Sequence, residues 1–408
     1  MKTAPLSVSE GLALTICDCL KEWCRPEDIF ATAIREHGLE AGQKVGLVLD
    51  TCRYVGALEE AVFSENELWA NVHLMPQSGL GDLGTLPVAP FDWGQATTLQ
   101  IYEGGVRISS PLAAGQGWIA AKVFATLPSS NWTPADPVES ALAKLFAKAG
   151  FIVSADVTQP PLMLSPEAMA VHAQSRRGSA RKPVGAVGPE PAPRPHITGN
   201  ISLPLPDRLP DMSLVDALQA RISHRPTGDV EQPLRLDDLS TLLWMTMRFR
   251  NGGTADKVAK VSRSFAGAGG WHGLDAYIAL LRPPDGVPAF SRYDAVDHKL
   301  AAVTGDPEPF LTDAGDAMGT NAPAGVIILC ATFASLGARY GDAAYPLILK
   351  EAGGAGQTLQ LAATALGLGS CWLGGGNSRD FAQATGLNPL QFGPVAELAL
   401  TGRSERTS

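Results

Sequence analysis

The sequence most clearly indicates a binding site formed by backbone atoms at a glycine-rich turn directly before an apolar run. Residues 262–281 have the sequence SRSFAGAGGWHGLDAYIALL, which contains four glycines upstream of Leu274. Glycine loses more backbone entropy on folding than other residues, so a dense cluster requires a reason. One reason is close approach of the backbone to a flat or charged ligand, and the alternative is a flexible surface loop. The segment has no Gly-x-Gly-x-x-Gly pattern between a strand and a helix, so it does not by itself predict a dinucleotide site.

The segments around this turn alternate between the patterns of helices and strands. Leu239, Leu242 and Leu243, for example, recur at the spacing of one helix face, and VIIL at 326–329 is an apolar run of strand length. The sequence predicts helices at 213–223, 236–247 and 349–369, and strands at 276–283, 325–333, 370–376 and 395–403. This order predicts an α+β domain with a central sheet.

A smaller module lies upstream of that domain. TTLQIYEGGVRISS at 97–110 alternates apolar and polar residues on both sides of Glu-Gly-Gly, which predicts a β-hairpin. Residues 133–149 then predict a helix that ends at Gly150, and FIVSADV follows as a strand. A hairpin, short helices and a final strand are typical of a winged-helix-like unit, here at about 95–165. The acidic balance of the chain favours a peptide over DNA as its ligand, and a purely structural part that assists dimerisation is an equal alternative.

The domain boundaries follow from composition. Residues 171–205 are rich in Pro, Gly, Ala and Arg and have no apolar period, so they predict a linker or an extended arm. The linker separates N-terminal modules at 1–170 from a domain at 206–408. The basic cluster within it (Arg176, Arg177, Arg181 and Lys182) is interpreted as solvated rather than as a binding patch.

Composition excludes several classes of function. The 408 residues carry a formal net charge of −9, which argues against a nucleic-acid binder because phosphate binding needs a basic surface. No apolar run is long enough to cross a bilayer, and the N-terminus lacks the features of a signal peptide, so a cytoplasmic protein is expected. Cys17, Cys19, Cys24 and Cys52 lack the spacing of zinc ligands and are interpreted as small buried apolar residues, so no metal site is predicted.

The chain resembles a known family over about its last half. The residues that carry the resemblance are RISHR with PLRLDDLSTLLW, AGAGGWHGLDAYI, RYGDAAYPLILKEAGGAGQTLQLAATALGLGSCWLGG and ELALTGR. In this order they resemble the nitroreductase-like flavoproteins, and within them the SagB-type dehydrogenases. Those enzymes use FMN to oxidise thiazolines and oxazolines to thiazoles and oxazoles in ribosomally made peptides. The N-terminal hairpin and helices resemble the module that many SagB-type proteins carry.

The resemblance implies a nitroreductase-like fold with FMN bound flat between the two subunits of a homodimer. Arg221 and Ser223 would bind the FMN phosphate through a bidentate cation and a hydroxyl, and Arg403 or Arg225 would add a second cation. The isoalloxazine ring needs backbone N–H groups without a side chain in the way.

Two glycine-rich segments would supply those N–H groups. The first is residues 266–270, called here the first glycine turn, in which Gly267, Ala268 and Gly269 are the expected contacts. The second is Gly374 with Gly375. Flavin would carry the hydride chemistry, and the protein would position it and tune it.

Four positions depart from the family pattern. Azoline dehydrogenases typically have Lys-Tyr where this chain has Arg339 and Tyr340, and arginine stays charged, so a general base at 339 is in doubt while an electrostatic role survives. Tyr340 keeps a phenol that could relay a proton. Gly267 and Gly354 stand where the family usually has a serine and a histidine. His272 replaces an aromatic residue and is interpreted either as an acid or base or as a polar side chain packed at the dimer seam.

The sequence therefore predicts an FMN-dependent dehydrogenase or oxidase that forms azoles from azolines in a peptide or related natural product. Oxygen would reoxidise the flavin, and a cyclodehydratase is an expected partner. One alternative is an NAD(P)H-dependent reductase of small conjugated substrates. Another is a flavin-free scaffold that binds a leader peptide.

Overall fold

The computed structural model describes most of the chain and divides it into two compact units. The described residues are 24–54, 59–74, 87–110, 115–159, 163–176, 201–225, 233–250 and 262–403, with the helical residues 12, 15, 16 and 19. Unit 1 is Met1–Arg181 and unit 2 is Lys182–Ser408. The predicted linker is too long at both ends, because residues up to Arg176 are helical and Ile201–Ser202 is a strand. Its remaining residues, 177–200, lie outside the described part of the chain.

Unit 1 begins with helices that pack around a small apolar core. Helices α1 (Pro26–His37) and α2 (Leu39–Tyr54) are separated by Gly38, whose backbone N–H bonds to Ile34 O. Leu12 and Ile16, which are also helical, are buried with residues of α1 and α2. Cys19 is partly exposed and Cys24 is exposed, so the interpretation of these cysteines as buried is wrong for Cys24.

A five-stranded antiparallel sheet with order β1-β2-β6-β5-β4 follows these helices. Its strands are β1 (Glu59–Ser64), β2 (Glu67–Leu74), β4 (Thr98–Tyr102), β5 (Gly105–Ser109) and β6 (Gly115–Ala120). The predicted hairpin is therefore present as β4 and β5, with Tyr102 paired to Gly105 across the turn. It does not stand alone as a wing, because β5 pairs with β6 in the larger sheet.

The predicted helix of unit 1 packs against this sheet. After α3 (Ala121–Phe124), helix α4 (Pro137–Ala149) begins at Asp136, whose side chain accepts the Glu139 N–H as an N-cap. It ends at Gly150 with φ 83°, as the sequence predicts. The predicted strand is β7 (Ile152–Ser154), which pairs with β3 (Phe91–Trp93), and helix α5 (Pro166–Arg176) is the last described element of unit 1.

Unit 2 is a seven-stranded antiparallel sheet covered by helices, which confirms the α+β prediction. The strand order is β13-β14-β12-β9-β10-β11-β8. The strands are β8 (Ile201–Ser202), β9 (Leu274–Leu280), β10 (Phe290–Asp294), β11 (Lys299–Ala302), β12 (Gly325–Thr332), β13 (Leu368–Leu373) and β14 (Phe392–Arg403). The helices are α6 (Leu214–Ala220), α7 (Leu236–Thr246), α8 (Glu308–Met318), α9 (Phe333–Tyr340), α10 (Ala344–Ala365) and α11 (Ser378–Thr385).

Two apolar layers on the faces of this sheet explain its most apolar strands. Every residue of β9 and β12 is buried, because one face packs under α7 and α10 and the other under α8 and α11. Such strands have continuous rather than alternating apolar sequences. Strands β10 and β11 and helices α8, α9 and α11 were not predicted, because their shorter segments mix polar and apolar residues.

No helix among the described residues combines the length and the apolar character required to span a bilayer.

Candidate functional site

Strand register places the first glycine turn at one end of the sheet of unit 2. Strand β9 begins at Leu274, which pairs with Ala331 near the end of β12. The Thr332 N–H then donates to Gly273 O at 3.0 Å, and α9 follows directly at Phe333. This arrangement brings the first glycine turn, which precedes β9, next to the helix that ends at Tyr340.

Gly269 and Tyr340 are in direct contact. Gly269 has φ 62°, a left-handed conformation that side chains with a Cβ adopt at a cost. A Cβ built on Gly269 would lie 2.6 Å from the Tyr340 hydroxyl oxygen. Glycine at 269 therefore meets two requirements at once, and the Tyr340 phenol lies against the backbone of the first glycine turn.

His272 lies against a second residue of the same turn. A Cβ on Gly267 would lie 2.6 Å from His272 Nδ1 and 2.7 Å from Cε1. Gly267 has φ −118°, so its backbone is ordinary and only the imidazole requires the missing side chain. The serine that the resemblance would place at 267 does not fit beside His272 in this arrangement.

The His272 ring is buried and bonded to helix α10. Its Nδ1 lies 3.1 Å from Glu351 Oε1, and the two side chains are 3% and 1% exposed. Phe265 packs edge-on against the imidazole with centroids 5.3 Å apart, and a Cβ on Gly354 would lie 3.9 Å from Phe265 Cβ. A Cβ at Gly354, one turn beyond Glu351, would therefore make only an ordinary van der Waals contact with Phe265.

The predicted phosphate-binding residues lie at the start of β13, which is the end of the strand away from Gly374 and Gly375. The His224 N–H donates to Ser370 O at 2.9 Å, which fixes the segment containing Arg221, Ser223 and Arg225 beside the start of β13. Arg403, the last residue of β14, pairs in register with Leu368, the first residue of β13.

Two nitrogens of Arg403 donate hydrogen bonds to a protein carboxylate. Its Nε and Nη2 donate to Asp238 Oδ2 and Oδ1 at 3.1 and 2.6 Å. This pairing raises the pKa of Arg403 through the hydrogen bond first and the charge of Asp238 second. Asp238 is buried on α7, whereas the Arg403 side chain is 56% exposed. Among the described residues, Arg221 and Arg225 form no ion pair. Unlike Arg403, these two arginines therefore have charges that are not already paired with a protein carboxylate.

Strand β13 links the arginine-rich end to the second glycine pair. Its five steps from Leu368 to Leu373 correspond to about 17 Å at the rise of a β-strand. Gly374 and Gly375 follow, are exposed, and have no heavy atom within 4 Å of where a Cβ would be. Helix α10 packs closely on this strand because Gly356 leaves room for the Trp372 ring.

A buried carboxyl lies beneath the turn that follows β13. Glu397 pairs in register with Leu373, and its carboxyl oxygens occupy the place of a Gly376 Cβ. Burial, and then the charge of Asp313, raise the pKa of Glu397 to about 7, while a hydrogen bond from the Asn377 backbone opposes the rise. Glu397 therefore anchors the backbone directly after Gly374 and Gly375.

The structure thus collects the predicted residues into two groups. Gly267, Ala268, Gly269, His272 and Tyr340 form one group beside α10, and Arg221, Ser223, Arg225 and Arg403 form the other at the start of β13. Gly374 and Gly375 lie at the far end of β13. The backbone of Arg339 belongs to α9, and its side chain lies outside the part of the chain that the structure describes.

Three acidic residues of this region were missed from the sequence. Asp238, Glu351 and Glu397 are each buried and each contact a predicted site residue or its turn. The available signal was an acidic residue on the apolar side of a predicted element. Asp238 adjoins Leu239 and Glu351 precedes Ala352, for example, and both neighbours are core residues.

Comparison with known proteins assigns the part of unit 2 that carries most of this site. Residues 231–399 match the nitroreductase family. These residues form a nitroreductase family domain. It begins just before α7 and ends within β14, so it includes the first glycine turn, His272, Tyr340 and Glu351. No curated protein matches the chain.

Several solved structures are similar to about half of this chain. A Ralstonia eutropha protein assigned to the nitroreductases is 24% identical over 53% of this chain and 96% of that chain, with a TM-score of 0.41. A chain of the E. coli microcin synthetase McbBCD complex with truncated pro-MccB17 bound is 16% identical over 48% and 75%, with a TM-score of 0.37. A Desulfovibrio desulfuricans protein assigned to the nitroreductases, crystallised with FMN, is 16% identical over 48% and 93%, with a TM-score of 0.29.

Proposed function

We propose that the chain is an FMN-dependent oxidoreductase that oxidises azoline rings to azoles in a peptide or a related natural product. The observation that carries the proposal is the arrangement around the first glycine turn. Two side chains able to exchange protons lie against this turn within the nitroreductase family domain, the Tyr340 phenol at Gly269 and the His272 imidazole at Gly267.

The residues present fit FMN. The first glycine turn and Gly374 with Gly375 offer backbone that a flat ring can approach, since Gly269 is exposed and nothing lies near a Cβ at 374 or 375. Arg221, Ser223 and Arg225 provide two cations and a hydroxyl for a terminal phosphate. When bound, FMN accepts a hydride equivalent from the substrate.

The protein's own residues handle the proton. Conversion of an azoline to an azole removes one hydride and one proton from adjacent ring atoms. The Tyr340 hydroxyl and His272 are the proton-carrying groups beside the first glycine turn, and general acid–base help of this kind contributes roughly 100- to 10,000-fold. The backbone position of Arg339 next to Tyr340 is consistent with an electrostatic role of its charge.

The edge of the sheet in unit 1 supports a peptide ligand there. Strand β4 is at one end of the strand order, and Leu99, Ile101 and Tyr102 are exposed on it. An edge strand with exposed apolar side chains is a template for an extended peptide. We therefore assign binding of the peptide substrate to unit 1, with a cyclodehydratase as the enzyme that would supply the azoline.

An exposed apolar helix supports a homodimer. Leu214, Val215 and Leu218 of α6 are 68%, 61% and 52% exposed. A cluster of this kind is typical of a surface covered by a partner. Sedimentation of the purified protein is expected to give a dimer, and a monomer that holds a full complement of FMN contradicts the homodimer.

The function is tested by reducing the bound flavin without oxygen. The purified protein, saturated with FMN, is mixed either with an azoline-containing peptide or with NAD(P)H, and flavin absorbance is followed beside peptide mass. Flavin bleaching with loss of two hydrogens from the peptide is the expected result. Rapid bleaching by NAD(P)H alone favours the reductase alternative, and failure to bind FMN at all leaves the flavin-free scaffold.

A further inference from the structure

We infer that Glu351 is a positioning residue that fixes the Nδ1 proton of His272 and so leaves Nε2 as the nitrogen that takes up a proton in the site. This inference rests on the proposed oxidoreductase function, and it adds a residue of α10 that would act through His272.

Packing alone does not explain a glutamate at position 351. Its side chain is 1% exposed, in a helix whose other buried residues are mostly apolar. Among the described residues, Oε2 of Glu351 has no hydrogen-bond partner although it is buried. A buried polar atom without a partner is destabilising, so leucine or methionine would fill the space at lower cost. The carboxyl group at this position therefore requires a reason other than packing.

The neighbouring His272 explains the carboxyl group at position 351. Oε1 of Glu351 lies 3.1 Å from Nδ1 of His272, and a carboxylate can only accept a hydrogen bond. A bond to the carboxylate form therefore needs the proton on Nδ1, and in the neutral imidazole Nε2 then keeps its lone pair. A carboxylate that orients a histidine in this way is the arrangement by which acid–base histidines are held in one tautomer.

The His272 imidazole is held in place beside the first glycine turn, where its tautomer would affect proton transfer. Phe265 packs on the ring at 5.3 Å, and the backbone of Gly267 lies against the ring at the Nδ1 and Cε1 atoms. Rotation of the ring is therefore restricted on two sides, and Glu351 determines which nitrogen is free. In the proposed function, Nε2 of His272 would take the proton from one ring atom of the azoline. The electron pair of that bond would become the new ring double bond, and the adjacent ring atom would give up its hydrogen as hydride to FMN.

The test measures the tautomer directly and without turnover. The full chain is labelled with ¹⁵N in its histidine rings, and the signals of His272 are identified among the seven histidines by their loss in His272→Phe. The wild-type protein is expected to show a protonated Nδ1 and an unprotonated Nε2, before and after saturation with FMN. Glu351→Leu should shift the ring towards the Nε2-protonated form. Glu351→Gln should retain the wild-type tautomer, because its amide oxygen can accept the same bond.

The matched control is Gln357→Leu, which makes the same kind of change at an exposed position of α10. It should leave the His272 signals unchanged. An unprotonated Nδ1 in the wild type overturns the inference, because Glu351 would then donate to His272. Identical tautomers in wild type and Glu351→Leu overturn it as well. If a substrate is found, Glu351→Leu should lower kcat at least tenfold with little change in KM. Failure to find a substrate leaves the tautomer result standing and counts only against the proposed function.

Discussion

The Tyr340 hydroxyl oxygen lies 2.6 Å from the position that a Cβ of residue 269 would occupy. The first glycine turn and the end of α9 are therefore built to fit each other, although 70 residues separate them in sequence. This contact joins a backbone segment suited to a flat ligand with a phenol that can exchange a proton. It makes position 269 the most sensitive place in the turn.

Gly269→Ala should destabilise the protein and weaken FMN binding. Alanine at φ 62° costs about 1–2 kcal/mol, and its methyl group also overlaps the Tyr340 hydroxyl. The control is Gly286→Ala, which has φ 77° but no heavy atom near its Cβ. Thermal unfolding and FMN titration should show a larger loss at 269 than at 286. Equal losses of stability and of FMN affinity at both positions mean that overlap with the Tyr340 hydroxyl adds nothing to the cost of the substitution.

Gly267→Ala should be tolerated only when the imidazole is removed. The new methyl group would lie within 2.7 Å of two His272 ring atoms, and overpacking of this kind costs about 1–3 kcal/mol. In a double-mutant cycle, Gly267→Ala should cost much less free energy of unfolding in the His272→Ala background than in the wild type. Additive effects of the two changes contradict the close packing of this pair.

Tyr340→Phe should leave FMN bound and slow turnover. The substitution removes only the hydroxyl, so the ring packing is kept, and loss of general acid–base help lowers the rate by roughly 100- to 10,000-fold. The comparison is with Arg339→Lys, which keeps the positive charge and should preserve activity, and with Arg339→Ala, which should damage it. Wild-type rates of anaerobic flavin reduction in both Tyr340→Phe and Arg339→Ala would remove this pair from the mechanism.

Arg221→Ala should weaken FMN binding without destabilising the fold. A charge-assisted hydrogen bond contributes about 1.5–3 kcal/mol, so the Kd for FMN should rise about 10- to 100-fold. Arg208→Ala is the control, because Arg208 is an exposed arginine of the same unit whose ion pair is with Asp211. Fluorescence titration should separate the two variants. A Kd that is the same for both assigns the phosphate to other residues.

Glu397→Gln should make the stability of the protein less dependent on pH. Because the pKa of Glu397 is raised to about 7 from 4.5, the folded state binds more protons than the unfolded state between these values. Stability therefore falls as pH rises across this interval, by roughly 3 kcal/mol for a shift of this size. The advantage of the glutamine variant in thermal unfolding should grow from pH 5 to pH 8.

The control for this pH series is Glu308→Gln, which removes an exposed carboxylate at the start of α8. It should follow the wild-type pH dependence. If Glu397→Gln does the same, the Glu397 carboxyl beneath the turn that follows β13 titrates in the ordinary range. Its contact with that turn then does not make stability depend on pH.

Local features of the fold were predictable from the sequence because they depend on short-range physics. Gly150 ends α4 in a left-handed conformation, which is favourable for glycine and lets its N–H bond to the carbonyl groups of Ala147 and Phe146. The apolar runs of β9 and β12 are continuous because both faces of these strands are covered. A glycine cluster is also visible in the sequence, so close approach of the backbone at Gly267 and Gly269 could be predicted, and their contact with FMN stays a prediction.

Only the tertiary structure decided which of these residues meet. Glu351 and His272 are 79 residues apart, and Asp238 and Arg403 are 165 residues apart. No periodicity connects such positions, because their contact is set by the register of β9, β12, β13 and β14 and by the packing of α7 and α10 on the sheet. For the same reason the sequence predicts Arg403 as a candidate second cation for the phosphate but does not predict its bond to a buried aspartate. The sequence determined the residue types available for chemistry, and the sheet determined their partners.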